Sequence, residues 1–349
     1  MKNKIIYLLR LGDYCFVYNH QKQIAAKLPL RLDRDYAIDN TQLSIAIEQI
    51  DSKKFDVSFK YGKLLLVNGN QTIDIDAIPC KDEISLFTEE QKKKRFTSKA
   101  YAIDNMVYAN KLLSVSKCCS KDISRLEFCG VCIDKTSICA TDGQTLNTTT
   151  LDYPQLNDCL MMIVHRECFE KLDNTDRITV WLSHDDYSVV EACHGEYSMF
   201  YMRHIIPGMF PDFRNVVPKP RYSFNFDSSK MLRGLKAFNV AKNKVGLTKF
   251  EYSREDKRAK ISLMNNSTII LTTGIPCYLR SDSEQVEQFT IGFNNKLLAR
   301  AIESIEMIHG KGIDLRMDIK DADSPIVLRA EKAIENRDEF FIVMPMSLD

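Results

Sequence analysis

The sequence predicts an α+β protein assembled from repeated domains, and two regularities carry that expectation. Four segments place Asp or Asn after an apolar residue and then run at helical period, the pattern of a strand end, an N-cap and an amphipathic helix. Short strand-like runs separated by turn signals follow each helix, so helix and antiparallel strands recur along the chain.

The first part opens on strands at Lys4–Arg10, Tyr14–Asn19 and Gln23–Leu28. Ile38-Asp39-Asn40 then starts a helix through Leu43, Ala46, Ile47 and Ile50, and strands are expected at Phe55–Lys60, Leu64–Val67 and Thr72–Ile78, with turns at Tyr61-Gly62 and Asn68-Gly69-Asn70. The polar run Glu89–Arg95 reads as a solvated linker.

Ile103-Asp104-Asn105 starts the second helix, with Met106, Ala109, Leu112 and Leu113 on one face. Its strands are Leu126–Ile133, Ser137–Ala140, Ile178–Leu182, Tyr187–Ala192 and Tyr197–Met202, and a less regular helix is expected over about His165–Asn174. Pro218-Lys219-Pro220 forces an extended backbone and marks a boundary.

Phe226-Asp227 starts the third helix (Met231, Leu232, Leu235, Phe238), and Phe293-Asn294 the fourth (Leu297, Leu298, Ala301, Ile302, Ile305). Strands follow at Phe250–Tyr252, Ala259–Met264, Thr268–Thr272, Leu315–Ile319, Pro325–Arg329 and Phe340–Met344. This punctuation gives three domains, about 1–97, 98–220 and 221–349.

Composition excludes more than it assigns. With 48 basic and 47 acidic residues the chain is too balanced for indiscriminate nucleic-acid binding, though a locally basic face remains open. Met1-Lys2-Asn3-Lys4-Ile5 lacks the apolar core of a signal peptide, so a cytoplasmic location is the expectation. Eleven cysteines, an odd number, suit free thiols in a reducing compartment.

Cys129-Gly-Val-Cys132 has zinc-knuckle spacing, with Cys118, Cys119 and His165 as imaginable completions. On a strand, positions three apart face opposite sides, and no second ligand pair accompanies them; no metal site is predicted. His184-Asp185-Asp186 sits between two strands and reads as a hairpin turn. No phosphate loop, zinc-protease helix or serine-hydrolase elbow occurs, so neither enzyme chemistry nor a cofactor is expected.

The last ten residues, Phe340–Asp349, are apolar where chain ends are normally polar. Pro345 stops a sheet ladder and leaves Met344, Met346 and Leu348 beside the break, either as the end of a core strand or as an adaptable wall for a partner's apolar side chains.

Three stretches resemble one family, the bacterial DNA polymerase III beta sliding clamp: Ala140-Thr141-Asp142-Gly143-Gln144-Thr145-Leu146, Pro207-Gly208-Met209-Phe210-Pro211-Asp212-Phe213-Arg214-Asn215-Val216-Val217-Pro218, and Val343-Met344-Pro345-Met346-Ser347-Leu348. The resemblance implies three similar clamp domains per chain, helices lining a central hole with antiparallel sheets outside, in a head-to-tail homodimeric ring. It implies sequence-independent attraction to duplex DNA, for which Lys111, Lys117, Lys230, Arg233, Lys236, Lys296 and Arg300 lie off the apolar stripes of their helices.

It further implies that DNA polymerase and a clamp loader dock short apolar-ended peptides in a pocket. Position by position its walls become Leu126, Thr141, Gly143, Leu146, Pro211, Val216, Val343, Met344, Pro345 and Met346, with Gln144, Thr145, Asn215, Ser347 and Leu348 around them. Phe238 and Asn239 match the family's dimer-interface position.

This chain departs from the pattern in several places. Gln144-Thr145 replaces a basic pair, Asn215 and Ser347 stand where arginines are common, and Asp349 adds an acid, so a less acidic peptide is expected. The first domain opens on strands instead of a helix and reads as shortened, which leaves a second reading: a clamp-like interaction module that does not close on DNA. No lysine or arginine lies between Thr41 and Ile50, so the first domain is expected to add little to DNA attraction.

Overall fold

A computed structural model describes residues 5–50, 55–80, 87–97, 106–134, 136–151, 161–170, 172, 177–182, 187–194, 197–238, 246–265, 268–280, 284–333 and 338–348. First along the chain come β1 (Ile5–Leu11), β2 (Tyr14–Asn19), β3 (Ile24–Leu28), β4 (Tyr36–Asp39), α1 (Asn40–Gln49), β5 (Asp56–Lys60), β6 (Lys63–Asn68), β7 (Gln71–Pro79) and α2 (Glu89–Thr97). Next are α3 (Met106–Ser116), β8 (Gly130–Ile133), β9 (Ser137–Thr141), β10 (Thr145–Thr150), β11 (Met162–His165), β12 (Arg177–Leu182), β13 (Tyr187–His194) and β14 (Tyr197–His204).

The remainder holds β15 (Tyr222–Asp227), α4 (Ser228–Ala237), β16 (Leu247–Ser253), β17 (Arg258–Asn265), β18 (Thr268–Pro276), β19 (Tyr278–Leu279), β20 (Gln288–Asn294), α5 (Asn295–His309), β21 (Asp314–Ile319), β22 (Ile326–Ala330) and β23 (Phe340–Val343). Two compact units result: Met1–Ala109 with Glu167–Ile205, and Asn110–Arg166 with Ile206–Asp349. The class is α+β as expected, with few helices on antiparallel sheets. Among the described residues no helix is long and apolar enough to cross a membrane.

The first unit holds one ten-stranded sheet, ordered β12-β13-β14-β3-β2-β1-β4-β7-β6-β5. Strand side chains alternate faces. Ile6, Leu8 and Cys15 therefore join one cluster with Leu64, Leu66, Ile75 and Ala46 of α1. Leu9, Leu11, Phe16 and Tyr18 join another with Phe87, Phe96 and Phe200. Asp39 caps α1 by accepting from the amides of Thr41 at 2.6 Å and Gln42 at 3.3 Å.

One expectation fails here. The run Glu89–Arg95 is not a linker but most of α2, and Thr88-Glu89-Glu90-Gln91 explains why: the Thr88 amide donates to Gln91 Oε1 at 2.9 Å while the Gln91 amide donates to Thr88 Oγ1 at 3.1 Å. That reciprocal capping box, with two acids in the first turn, starts a helix that the lysine run alone conceals. Phe96 fastens it by stacking on Phe16, ring centres 4.4 Å apart. Lys92 is 3% exposed; its ammonium bonds Asp35 at 2.7 Å, Glu89 at 2.9 Å and the Arg10 carbonyl at 3.1 Å.

The second unit holds a nine-stranded sheet, β11-β8-β9-β10-β23-β22-β21-β15-β19, and a four-stranded sheet, β18-β17-β16-β20. Asp227 caps α4 and Asn294 caps α5, each accepting from backbone amides of the first turn. Met231, Leu232 and Leu235 of α4 and Leu298, Ala301, Ile302 and Ile305 of α5 are buried, as their spacing predicts. Ser114 of α3 donates to the Ser304 carbonyl of α5 at 2.9 Å and accepts from Asn147 at 2.9 Å, tying helix to helix and helix to sheet.

Further corrections follow from local chemistry. Leu126–Cys129 is a 3₁₀ turn, and the strand begins only at Gly130, where a Cβ would meet Ile163 and the Val164 carbonyl at 2.7 Å. In place of a helix from His165, β11 ends there and a single 3₁₀ turn, Arg166–Cys168, follows. Pro325 lies outside β22 because it has no amide to donate to the ladder. The threonine-rich strand β10 was not foreseen. Asp104, Asn105 and the His184-Asp185-Asp186 cluster lie outside the described residues.

Candidate functional site: an apolar groove beside a tight hairpin

The turn between β9 and β10 is built by its own side chains. Thr141 donates its hydroxyl to the Thr145 carbonyl at 2.7 Å and accepts from the Gly143 amide at 3.1 Å. One oxygen of Asp142 accepts from the Gln144 amide at 3.0 Å, the Thr145 amide at 2.7 Å and the Thr145 hydroxyl at 2.9 Å. Gly143 sits at φ +85°, a conformation that costs other residues strain.

Burial alone would raise the Asp142 carboxyl, but the hydrogen bond and charge of Arg300, with the Thr145 amide and hydroxyl, more than reverse that and hold it below the usual carboxylate range. The hairpin is thus closed by hydrogen bonds from its own side chains, with its acid charged near neutrality.

β10 pairs with β23, and the pairing brings the carboxy-terminal segment to the hairpin. The Met344 amide donates to the Gln144 carbonyl at 2.9 Å. Phe210, Pro211 and Phe213 come to the same place, and together these pieces enclose a groove of about 190 Å³. Its floor is apolar and buried: Leu146, Phe210, Phe213 and Ile342 are 6%, 7%, 6% and 3% exposed. Asp212 is the one charged lining residue among those described. Asp212 also caps a 3₁₀ turn, Phe213–Val216, accepting from the Arg214 amide at 3.2 Å and the Asn215 side chain at 2.8 Å.

The groove gathers Thr141, Gly143, Gln144, Thr145, Leu146, Pro211, Val216 and Met344 from the expected set. It does not gather Leu126, whose side chain is 49% exposed elsewhere; Phe128, two residues on, lines the groove instead. Asn215 is tied back to Asp212, and Val343 is fully buried, since strand alternation turns Ile342 into the groove. Phe210, Phe213, Ile342 and Pro325 were not foreseen, although two of the aromatics stand inside the stretch that carried the resemblance.

Past Met344 the tail turns to the four-stranded sheet. Pro345 bridges Phe293 and the Met346 amide donates to the Gly292 carbonyl at 2.9 Å. A Cβ at residue 292 would collide with the Met346 carbonyl oxygen and crowd Leu348, so only glycine allows this approach. Pro345, Met346, Ser347 and Leu348 thus follow the sheet beyond the groove, and Asp349 lies outside the described residues.

The expected cations divide. Lys230, Arg233, Lys236 and Lys296 are exposed on α4 and α5, as is Lys117 just past α3. Lys236 pairs with Glu303 at 2.8 Å on the surface. Lys111 is turned inward, donating to the Thr150 carbonyl at 2.9 Å with Glu339 3.6 Å away. Arg300 bonds Asp142 at 2.7 Å. Phe238 is 1% exposed, a core residue that closes α4 and offers no surface to a partner; Asn239 lies outside the described residues.

Burial pushes the thiols of Cys118 and Cys132 up to about 12, so they stay protonated. Among the described residues no three His, Cys, Asp or Glu are grouped to hold a metal.

No protein-family model and no curated protein matches the chain. Solved structures do. The DNA polymerase III subunit beta from Pseudomonas aeruginosa matches at 17% identity and TM-score 0.71, covering 99% of this chain and 93% of that one. The DNA polymerase sliding clamp from Bacillus subtilis matches at 13% identity and TM-score 0.73, covering 99% and 92%. The Helicobacter pylori beta clamp bound to a DNA ligase peptide matches at 14% identity and TM-score 0.72, over the same shares.

Helices on antiparallel sheets in this order define the DNA-clamp architecture. More particularly, the chain has the fold of the bacterial DNA polymerase III beta sliding clamp, carried by a divergent sequence.

Proposed function

We propose that this protein is a non-enzymatic processivity factor that closes with a second copy around duplex DNA and tethers a polymerase, and the loader that opens the ring, through the groove. The observation that carries the proposal is the groove itself: three segments far apart in sequence converge on one apolar notch, in a chain whose helices α4 and α5 expose cations that suit loose, sequence-independent attraction to phosphate. A few buried anchors in such a notch suffice to hold an extended peptide.

Closure is better supported by β18 than by Phe238. Among the described strands β18 is a free edge of nine residues, with Ile269, Ile270 and Leu271 40–48% exposed. A long apolar edge is a liability in a monomer and a pairing surface in an oligomer. The docked peptide is of neutral or basic flank, because Asp212 is the groove's charged lining residue. Titration with peptides differing only in flanking charge tests this, and equal affinity for acidic and neutral versions removes it.

A ring threads onto linear duplex and is trapped when the ends are ligated. Protein retained on such a circle through a high-salt wash, and released by cutting the DNA, is the expected result. The second proposal, a clamp-like interaction module that does not close, draws on the pairing of Lys111, Lys236 and Arg300 with acids. Peptide binding without retention on circles selects it.

A further inference from the structure

Arg300 sits on α5 among residues expected to attract DNA, yet its guanidinium turns to the hairpin. Nη2 donates to Asp142 Oδ2 at 2.7 Å and to the Thr145 hydroxyl, and Nη1 reaches the Lys117 carbonyl at 3.3 Å. The other Asp142 oxygen holds the Gln144 and Thr145 amides. Gly143, Gln144 and Thr145 line the groove, so one guanidinium braces a groove wall from behind. The hairpin needs bracing: Gly143 gives its tip freedom, and Asp142, half-buried, would otherwise carry an uncompensated charge beside the apolar floor.

We propose that Arg300 is a positioning residue of the groove, fixing the Thr141–Thr145 wall and cancelling the Asp142 charge behind it, and that it contributes nothing to DNA attraction. This rests on the reading of the groove as a docking site only where peptide affinity is concerned. The forked geometry matters: a lysine reaches one acceptor where the guanidinium reaches three.

The test compares Arg300→Met, which keeps the apolar stem, with Arg300→Lys, and adds Asp142→Asn, which removes the charge from the other side should the first variant fold poorly. Hydrogen exchange at the Gln144 and Thr145 amides is read together with affinity for a fluorescent pentapeptide of neutral flank ending in two large apolar residues, and with the salt dependence of binding to duplex of arbitrary sequence. Arg300→Met is expected to speed exchange at both amides and to weaken the pentapeptide by about tenfold, with Arg300→Lys between it and wild type. Asp142→Asn should follow Arg300→Met in exchange, and the salt slope should not move.

Unchanged exchange in Arg300→Met, or a salt slope reduced by about one with the groove unaffected, overturns the proposal. If the wild-type protein takes up no pentapeptide, the docking-site reading falls, while exchange at Gln144 and Thr145 still decides the role of Arg300.

Discussion

Helices α2 and α4 are alike in length and both carry cations, yet α2 turns one of them, Lys92, inward, while α4 keeps its three outside. α4 exposes Lys230, Arg233 and Lys236, whereas α2 drives Lys92 down to 3% exposure against Asp35. The difference lies in what fixes each helix's rotation. Met231, Leu232 and Leu235 give α4 an apolar stripe, and Gly234 lets it settle against Ile261 and Ile275, so its charges are left outside. α2 has Phe96 as its apolar anchor, and a carboxylate already buried below it, accepting the Arg10 amide at 2.7 Å, claims the lysine. On α4 an apolar stripe sets the rotation and leaves the cations outside; on α2 the buried Asp35 carboxylate draws in Lys92 while Lys93, next along the helix, stays exposed.

The largest effect should come from the inward lysine. Lys92→Met strands Asp35 at 8% exposure without its cation, and is expected to lower stability by about 3–5 kcal/mol. Asp35→Asn added to it should recover much of the loss. Urea unfolding followed by tryptophan-independent circular dichroism measures both, and a loss under about 1 kcal/mol would show the pair to be solvated.

Lys111 tests the same idea in the second unit. Burial raises the Glu339 carboxyl, but its contact with His309, the Thr149 hydroxyl and the charges of His309 and Lys111 outweigh that and hold it below the usual range. A carboxyl depressed in the folded state adds stability that is complete above its unfolded value, near pH 4, and is lost as pH falls through the lower folded value. Lys111→Met should therefore destabilise by about 1–3 kcal/mol at neutral pH and flatten the acid limb of the stability curve. A mutant whose acid limb keeps the wild-type slope would remove Lys111 from this network.

What the sequence made legible follows the same division. Asp39, Asp227 and Asn294 announce α1, α4 and α5 because an N-cap and an apolar stripe are local signals. The Thr141–Thr145 stretch was visible only through the resemblance, as a strand running into a loop; the strand β10 that completes the hairpin was not foreseen. What was hidden depends on distant partners. The lysine run masked the capping box at Thr88, Phe128 was passed over for Leu126, and nothing near Arg300 reveals that Asp142 will meet it. The groove's outline could be carried over by resemblance; its floor of Phe210, Phe213 and Ile342 is set by strand alternation and sheet pairing, which fix which side of each segment is buried.

The smallest effect on stability, and the sharpest on function, belongs to the outward cations. Lys230→Ala, Arg233→Ala and Lys296→Ala remove exposed side chains whose charged ends contribute little to packing, so each should stay within about 0.5 kcal/mol of wild type. If DNA is held by counterion release, each should also lower the slope of log affinity against log salt by about one, equally for every duplex sequence, because phosphates carry no sequence information. Lys92→Met should leave that slope alone. Should Lys230→Ala destabilise as Lys92→Met does, or Lys92→Met change the salt slope as Lys230→Ala does, then helix rotation does not separate structural cations from phosphate-seeking ones, and the contrast between α2 and α4 fails at its root.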